Sequence, residues 1–124
     1  MTAFRNLAAA EQLRVWEGVH GRTAVGERIT LALVELEPDA LVPLHSHPQE
    51  QVGLLLEGEM HWTIGDERRT VGPGGSWCIL GGVPHEVRVG REGAVVVEAF
   101  SPVRDDWASL EPSATPSRWP SSAR

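Results

Sequence analysis

Turn-forming residues recur along this chain at short, regular intervals, and that punctuation limits the folds open to it. Pro38-Asp39, Glu57-Gly58-Glu59, Gly65-Asp66-Glu67, Gly72-Pro73-Gly74-Gly75, Gly81-Gly82-Val83-Pro84 and Gly90-Arg91-Glu92-Gly93 each read as a reversal of direction. The stretches between them are too short for helices and are rich in Val, Leu and Ile. In residues 27–37, Arg28, Thr30, Ala32, Val34 and Leu36 share one face of a strand, and Ile29, Leu31, Leu33 and Glu35 the other. Residues 52–56 are apolar on both faces and predict a strand buried on both sides. Met60, Trp62 and Ile64 alternate with His61 and Thr63, a half-buried strand with His61 facing solvent or a hydrogen-bond partner. Short strands at a spacing of roughly 8–12 residues predict an all-β sandwich or barrel.

The two ends differ from this middle. Residues 7–11 suit a helical turn or two, and Leu13, Val15 and Val19 alternate with Arg14, Trp16 and His20, which puts His20 on the surface. Residues 1–24 are expected as an N-terminal extension, 25–107 as the barrel, and 108–124 as a Ser/Pro-rich tail. Trp107 and Trp119 argue that the tail lies against the body or a partner, since burying an indole offsets the ordering of a few residues.

Composition excludes several function classes. At 124 residues one domain is expected. A net charge of -6 with no Lys/Arg cluster argues against nucleic acid. The single Cys78 excludes an intrachain disulfide framework, and its apolar neighbours Trp77, Ile79 and Leu80 predict a buried, inert thiol. No apolar run reaches the ~18 residues of a membrane span, and residues 1–10 lack the apolar stretch of a signal peptide. A cytoplasmic protein is expected, with no membrane partner.

Chemistry is concentrated in Pro43-Leu44-His45-Ser46-His47-Pro48-Gln49-Glu50-Gln51. In extended chain, His45, His47 and Gln51 point to one side and Glu50 to the other, whereas a strand irregular at Pro48 would bring in Glu50 as the alternative third ligand. Neutral imidazole is the commonest metal ligand, and an amide oxygen can complete a shell. Another histidine, His85, follows the Gly81–Pro84 turn. The working hypothesis is one divalent metal ion, Zn, Mn, Ni or Fe, held by His45, His47, Gln51 and His85. Two hydrogen-bonded histidines with no metal are the alternative for His45 and His47.

These residues resemble the cupin superfamily. Its first motif, G-x5-H-x-H-x3-E-x6-G, is met by His45, His47 and Gly58, and its second, G-x5-P-x-G-x2-H-x3-N, by Gly74, Gly82 and His85. Asp39 stands for the leading Gly, Gln51 for the Glu ligand, Leu80 for the Pro and Val89 for the Asn. The resemblance covers roughly residues 25–107 and implies a double-stranded β-helix, or jelly roll, with the metal inside the barrel. Small cupins reading H-S-H-P-x-E-Q use the Gln as ligand.

A neutral ligand set leaves full charge on the metal, which favours a Lewis acid and argues against a two-His-one-carboxylate iron oxygenase. The run Glu98-Ala99-Phe100-Ser101-Pro102-Val103-Arg104 resembles the end of small cupins that act on unsaturated uronates in pectin degradation, and of cupin polyketide cyclases. That likeness implies Glu98 as a general base, Phe100 packing on a substrate ring and Arg104 holding a carboxylate or phenolate, with Glu98 and Arg104 the catalytic pair. Read from the residues alone, Glu98 is a strand-end charge, Phe100 core, and Arg104 an ion-pair partner of Asp105 or Asp106. The expected function is non-redox isomerase or cyclase chemistry on a small sugar acid or aromatic polyketide. A non-catalytic binding cupin and a dioxygenase are the alternatives. A homodimer is expected, because a small jelly roll leaves an apolar outer face, and residues 28–36 are apolar on both sides.

Overall fold

The structure is a computed structural model that describes residues 2–120. Eight strands follow in order: β1 Leu13–Trp16, β2 Val19–Val25, β3 Thr30–Leu36, β4 Leu41–His45, β5 Glu50–Ile64, β6 Glu67–Val71, β7 Ser76–Ile79 and β8 His85–Ser101. Short 3-10 turns at Leu7–Ala9 and Asp105–Ser109 flank them. All strand pairings are antiparallel.

Two long strands, β5 and β8, organise the molecule. They pair along their whole length, from Glu50 opposite Ser101 to Ile64 opposite His85. The C-terminal half of β8 also pairs with β3, and its N-terminal half with β4. The N-terminal half of β5 takes β7, and its C-terminal half takes β6. One pair of strands therefore serves two sheets, β1-β2-β3-β8-β5-β7 and β4-β8-β5-β6. Their inner faces close on a core that includes Val34, Leu55, Met60, Ile79, Val87, Val89 and Val96. This is the jelly roll expected of the sequence.

Two expected hairpin turns are absent. Glu57-Gly58-Glu59 and Gly90-Arg91-Glu92-Gly93 lie inside β5 and β8. The register of β5 against β8 slips between Leu55 and Glu57 and again between Gly58 and Met60. Such bulges bend a strand without reversing it. Gly58 and Gly93 have φ of +98° and +75°, and a Cβ on Gly58 would strike the Gly93 carbonyl. Glycine is required where the two strands bend together from one sheet into the other.

Burial corrects further expectations. β5 is not buried on both sides: Val52 and Leu54 are 48% and 41% exposed, while Gln51, Gly53 and Leu55 point inward. Cys78 alternates outward on β7 and is exposed. The strand expected over residues 27–37 begins only at Thr30. Its outward Leu33 and Glu35 are buried. The stretch before residue 25 supplies β1 and β2, and β2 pairs with β3 through Val25.

His20 is buried rather than on the surface. Its Nε2 lies 2.6 Å from the Glu37 carboxylate, and its Nδ1 2.6 Å from Ser113 Oγ. The tail makes this cover. It bonds β1 through Arg14 N to Glu111 O and Ser113 N to Gln12 O, then crosses the outer face of β3. There the Glu35 carboxylate accepts from Arg22 Nη2 (2.7 Å), Ser117 Oγ (2.8 Å) and the backbone N–H groups of Arg118 (2.6 Å) and Trp119 (3.3 Å). Arg22 also donates to the carbonyls of Ala8 and Trp119. The last four residues of the expected tail lie outside the described residues.

Candidate metal centre

The histidines meet because of strand register. His45 closes β4 and His85 opens β8, and the two are direct cross-strand partners with ring centroids 4.3 Å apart. Among the described residues β4 pairs only with β8, and Pro43 falls where that register skips from Val42 to His45, so its missing N–H costs no ladder bond. His47 lies in the short connection to β5, and its ring centroid is 4.9 Å from that of His85. The ligand atoms of His45, His47 and His85 all lie within 4.8 Å of one another.

Each ring is oriented by its own backbone. Nδ1 of His45 bonds the Pro43 carbonyl (2.8 Å), that of His47 the Gln49 carbonyl (3.0 Å), and that of His85 the Val83 carbonyl (2.8 Å). A carbonyl only accepts, so Nδ1 carries the proton and every Nε2 presents a lone pair. Fixing the tautomer through the other nitrogen is how metal-ligating histidines are normally held. Nε2 of His85 is buried and has no hydrogen-bond partner among the described residues.

Gln51 adds a fourth donor atom, an oxygen. Its amide nitrogen donates to Glu98 Oε2, so its Oε1 is the end 3.0 Å from His47 Nε2. With the His47 proton on Nδ1, two acceptors face each other at that distance. A cation shared between them removes the repulsion. The donor set of three imidazole nitrogens and an amide oxygen thus fits a divalent transition-metal ion. Glu50 stands on the exposed side of β5, 3.8 Å from Cys78 Sγ.

Burial, with smaller contributions from the neighbouring histidines and Arg104, pushes His85 down to about 4. Burial and then the Arg104 charge lower His47 as well. Both rings are therefore neutral at pH 7, the form that ligates a metal.

Glu98 lies on the inner face of β8, 8% exposed. It accepts from Gln51 and, at 3.1 Å, from Trp77 Nε1, both on Oε2. Gly53 makes the second contact possible. It pairs with Glu98 on one side and Trp77 on the other, and a Cβ there would overlap the indole. Burial pushes the Glu98 carboxyl above its ordinary range, against the opposing effects of its two N–H donors and Arg104.

Arg104 follows β8 and is held in place. Its Nε and Nη2 bond Asp106 at 3.1 and 3.0 Å, and its guanidinium lies 4.8 Å from the Phe100 ring centre and 4.7 Å from that of Trp107. Phe100 is buried and meets His47 edge-on at 5.9 Å. One cavity of about 50 Å³ is lined by His45, His47, Gln51, His85, Glu98, Phe100 and Arg104 together. Every site residue expected from sequence faces this space.

Four tryptophans at the site were not foreseen, Trp107 under Arg104 being one. Trp77 donates to Glu98, Trp62 lies 6.3 Å from His85, and Trp16 lies 5.1 Å from His45. The inward parity of Trp77 on β7 was a usable signal, but the partner was not.

A family model described as a cupin domain matches residues 32–100, more than half of the chain. The chain belongs to the cupin family. Similar solved structures include KdgF from Halomonas sp., 21% identical, with TM-score 0.77 over 86% of this chain and 98% of that one. An RmlC-like cupin from Shewanella frigidimarina NCIMB 400 is 20% identical, with TM-score 0.78 over 86% and 96%. Oxalate decarboxylase from Bacillus subtilis is 23% identical, with TM-score 0.69 over 82% of this chain and 30% of that one. At these identities the likeness is one of fold. No curated protein sequence matches the chain. Among the described residues, no helix is long and apolar enough to cross a membrane.

Proposed function

We propose that this cupin is a metal-dependent, non-redox isomerase acting on the carbonyl or enol of a small sugar acid, with an aromatic polyketide, and hence cyclisation, as the second substrate class. The observation that carries the reading is Glu98, a buried carboxyl with no ion-pair partner among the described residues, tied through Gln51 to the three-histidine cluster. A divalent ion held by His45, His47, His85 and Gln51 would supply Lewis acidity to a substrate oxygen.

The chain's own groups do the rest. Glu98 takes the proton from the carbon beside the carbonyl and returns it at the other end of the enol, so no atom is gained or lost. Its pKa, raised by burial, brings it closer to working pH, where a general base is most effective. The Gln51 and Trp77 N–H groups hold Oε2, and Oε1 accepts no hydrogen bond among the described residues. Arg104 is pre-oriented by Asp106 to meet a carboxylate. For the polyketide class, Phe100 and Trp107, with Arg104 stacked over both rings, supply the aromatic part of the cavity lining.

The chain is proposed to act as a homodimer. Leu31, Ala99 and Val52 are side by side on the outward face of β3, β8 and β5, and Val97 and Leu54 continue the patch. Light scattering at micromolar concentration should give twice the chain mass, and a monomer mass would remove this part of the proposal.

The decisive experiment combines metal analysis with an assay on unsaturated uronates. Protein supplemented with Zn, Mn, Ni or Fe should carry about one ion per chain, as four converging ligands imply. His85→Ala should lose most of it and His61→Ala none. Metal without turnover of uronates or polyketones would favour a binding cupin, and oxygen consumption with iron a dioxygenase.

A further inference from the structure

The cavity is smaller than the substrate just proposed. Its roughly 50 Å³ holds a few water molecules, whereas sites for small organic ligands run to roughly 300–1,000 Å³. His45 and His47 are only half-buried, so the site is not sealed, but a wall must move for a sugar acid to be enclosed beside all three histidines. The inner halves of β3, β5 and β8 are hydrogen-bonded on both sides and cannot yield locally.

Trp16 differs from the other walls. It ends the four-residue β1, where the register against β2 slips between Arg14 and Trp16. Its ring lies 5.1 Å from His45 and it is half-buried. It lines the metal cavity and also an outer groove of about 920 Å³, walled by Arg14, His20, Glu37, Asp39 and Ser113 among others. Trp62 also borders outer pockets, but it is buried in mid-strand between Arg69 of β6 and Val87 of β8.

We infer that Trp16 is the partition through which substrate reaches the metal centre, and that its indole sets the largest ligand admitted. Turning into the groove, it joins a large open space to the small inner one without breaking a central strand. The tail supports this arrangement from outside: Glu111, Pro112 and Ser113 pair with β1, so the strand stays while the ring moves. The inference takes its ligand size from the isomerase reading, but its test does not.

The probe is diethyl pyrocarbonate, a bulky acylating reagent for imidazole. His85 Nε2 is buried and unpaired inside the cavity, while His61 lies exposed outside and serves as the internal reference. The full chain, stripped of metal by chelation and checked by thermal melting, is treated at pH 7, and modification of each histidine is followed by peptide mass spectrometry. Trp16→Ala should raise the His85 rate relative to His61 by about tenfold or more, as expected when a local opening is made easier. Trp16→Phe should stay near wild type because a ring still fills the gap. If Trp16→Ala does not fold, Trp16→Leu takes its place. Equal His85 rates in the wild type and the small variant would overturn the inference, as would an equal acceleration by Trp62→Leu. Neither result depends on bound metal or turnover, so failure here leaves the isomerase reading intact, and failure of that reading leaves this one.

Discussion

Two buried carboxylates sit on opposite sides of one sheet and are treated in opposite ways. Glu35, on the outer face of β3, is covered by the tail and collects four hydrogen bonds, one from the buried Arg22 guanidinium. Glu98, on the inner face of β8, receives two N–H donors on a single oxygen and, among the described residues, no salt bridge. The first cluster satisfies both carboxylate oxygens of Glu35, leaves only Arg22 Nε without a partner among the described residues, and holds chain segments together. The second leaves lone pairs open, on His85 Nε2 and between His47 and Gln51. Buried polar groups are normally satisfied, so a cluster left open marks a place where something else binds.

Substituting one carboxylate at a time breaks the comparison most sharply. Glu98→Gln keeps the size and removes the base, so kcat should fall about 10²–10⁴-fold while metal content and melting temperature hold. Near-normal kcat in steady-state kinetics would take Glu98 out of the mechanism. Glu35→Ala should do the reverse. Removing one partner of a buried ion pair leaves Arg22 uncompensated and should cost about 3–5 kcal/mol in urea unfolding, with metal affinity unchanged. A loss below about 1 kcal/mol would mean that the outer cluster is screened like a surface pair.

A smaller effect comes from pH. His85 is held at about 4 in the fold, against 6.5 for an unperturbed histidine. Below pH 6.5 the unfolded chain takes up a proton that the folded chain refuses until about pH 4. Metal-free protein should therefore lose stability as pH falls through that window and show no such loss above it. Glu98, raised by burial, works in the opposite sense. The informative quantity is the melting temperature of wild type minus that of His85→Asn across about pH 4–7. A flat difference would show that His85 is not buried as a neutral ring.

Much of the inner cluster was legible because strand parity is local. Alternation in an extended chain was enough to group His45, His47 and Gln51, although the strand breaks between them and His47 lies in the connection, and Glu98 and Phe100 share parity on β8. The outer cluster was not legible. His20 read as a surface residue and nothing marked Glu35 as buried, because the burial of both depends on Ser113 and Ser117–Trp119, far away in sequence. Glycine misled in a different way. Gly58 and Gly93 carry the same local signal as a hairpin turn, because a bend between sheets and a reversal both use positive φ. Gly53 gave no sign that an indole would lie across it.

The shared strands β5 and β8 also set an order of assembly. Ile64 and His85 are far closer in sequence than Glu50 and Ser101, so the ends that meet at His85 close the smaller loop. Pairing that spreads from there reaches Leu55 and Val96 next and Gln51 and Phe100 last. His85 is thus placed early, whereas Gln51 and Glu98 come to face each other only when the zipper is nearly shut. Such long-range pairing folds slowly, and a metal ion held by Gln51 as well as the histidines, as proposed above, would bind a nearly finished barrel rather than seed one.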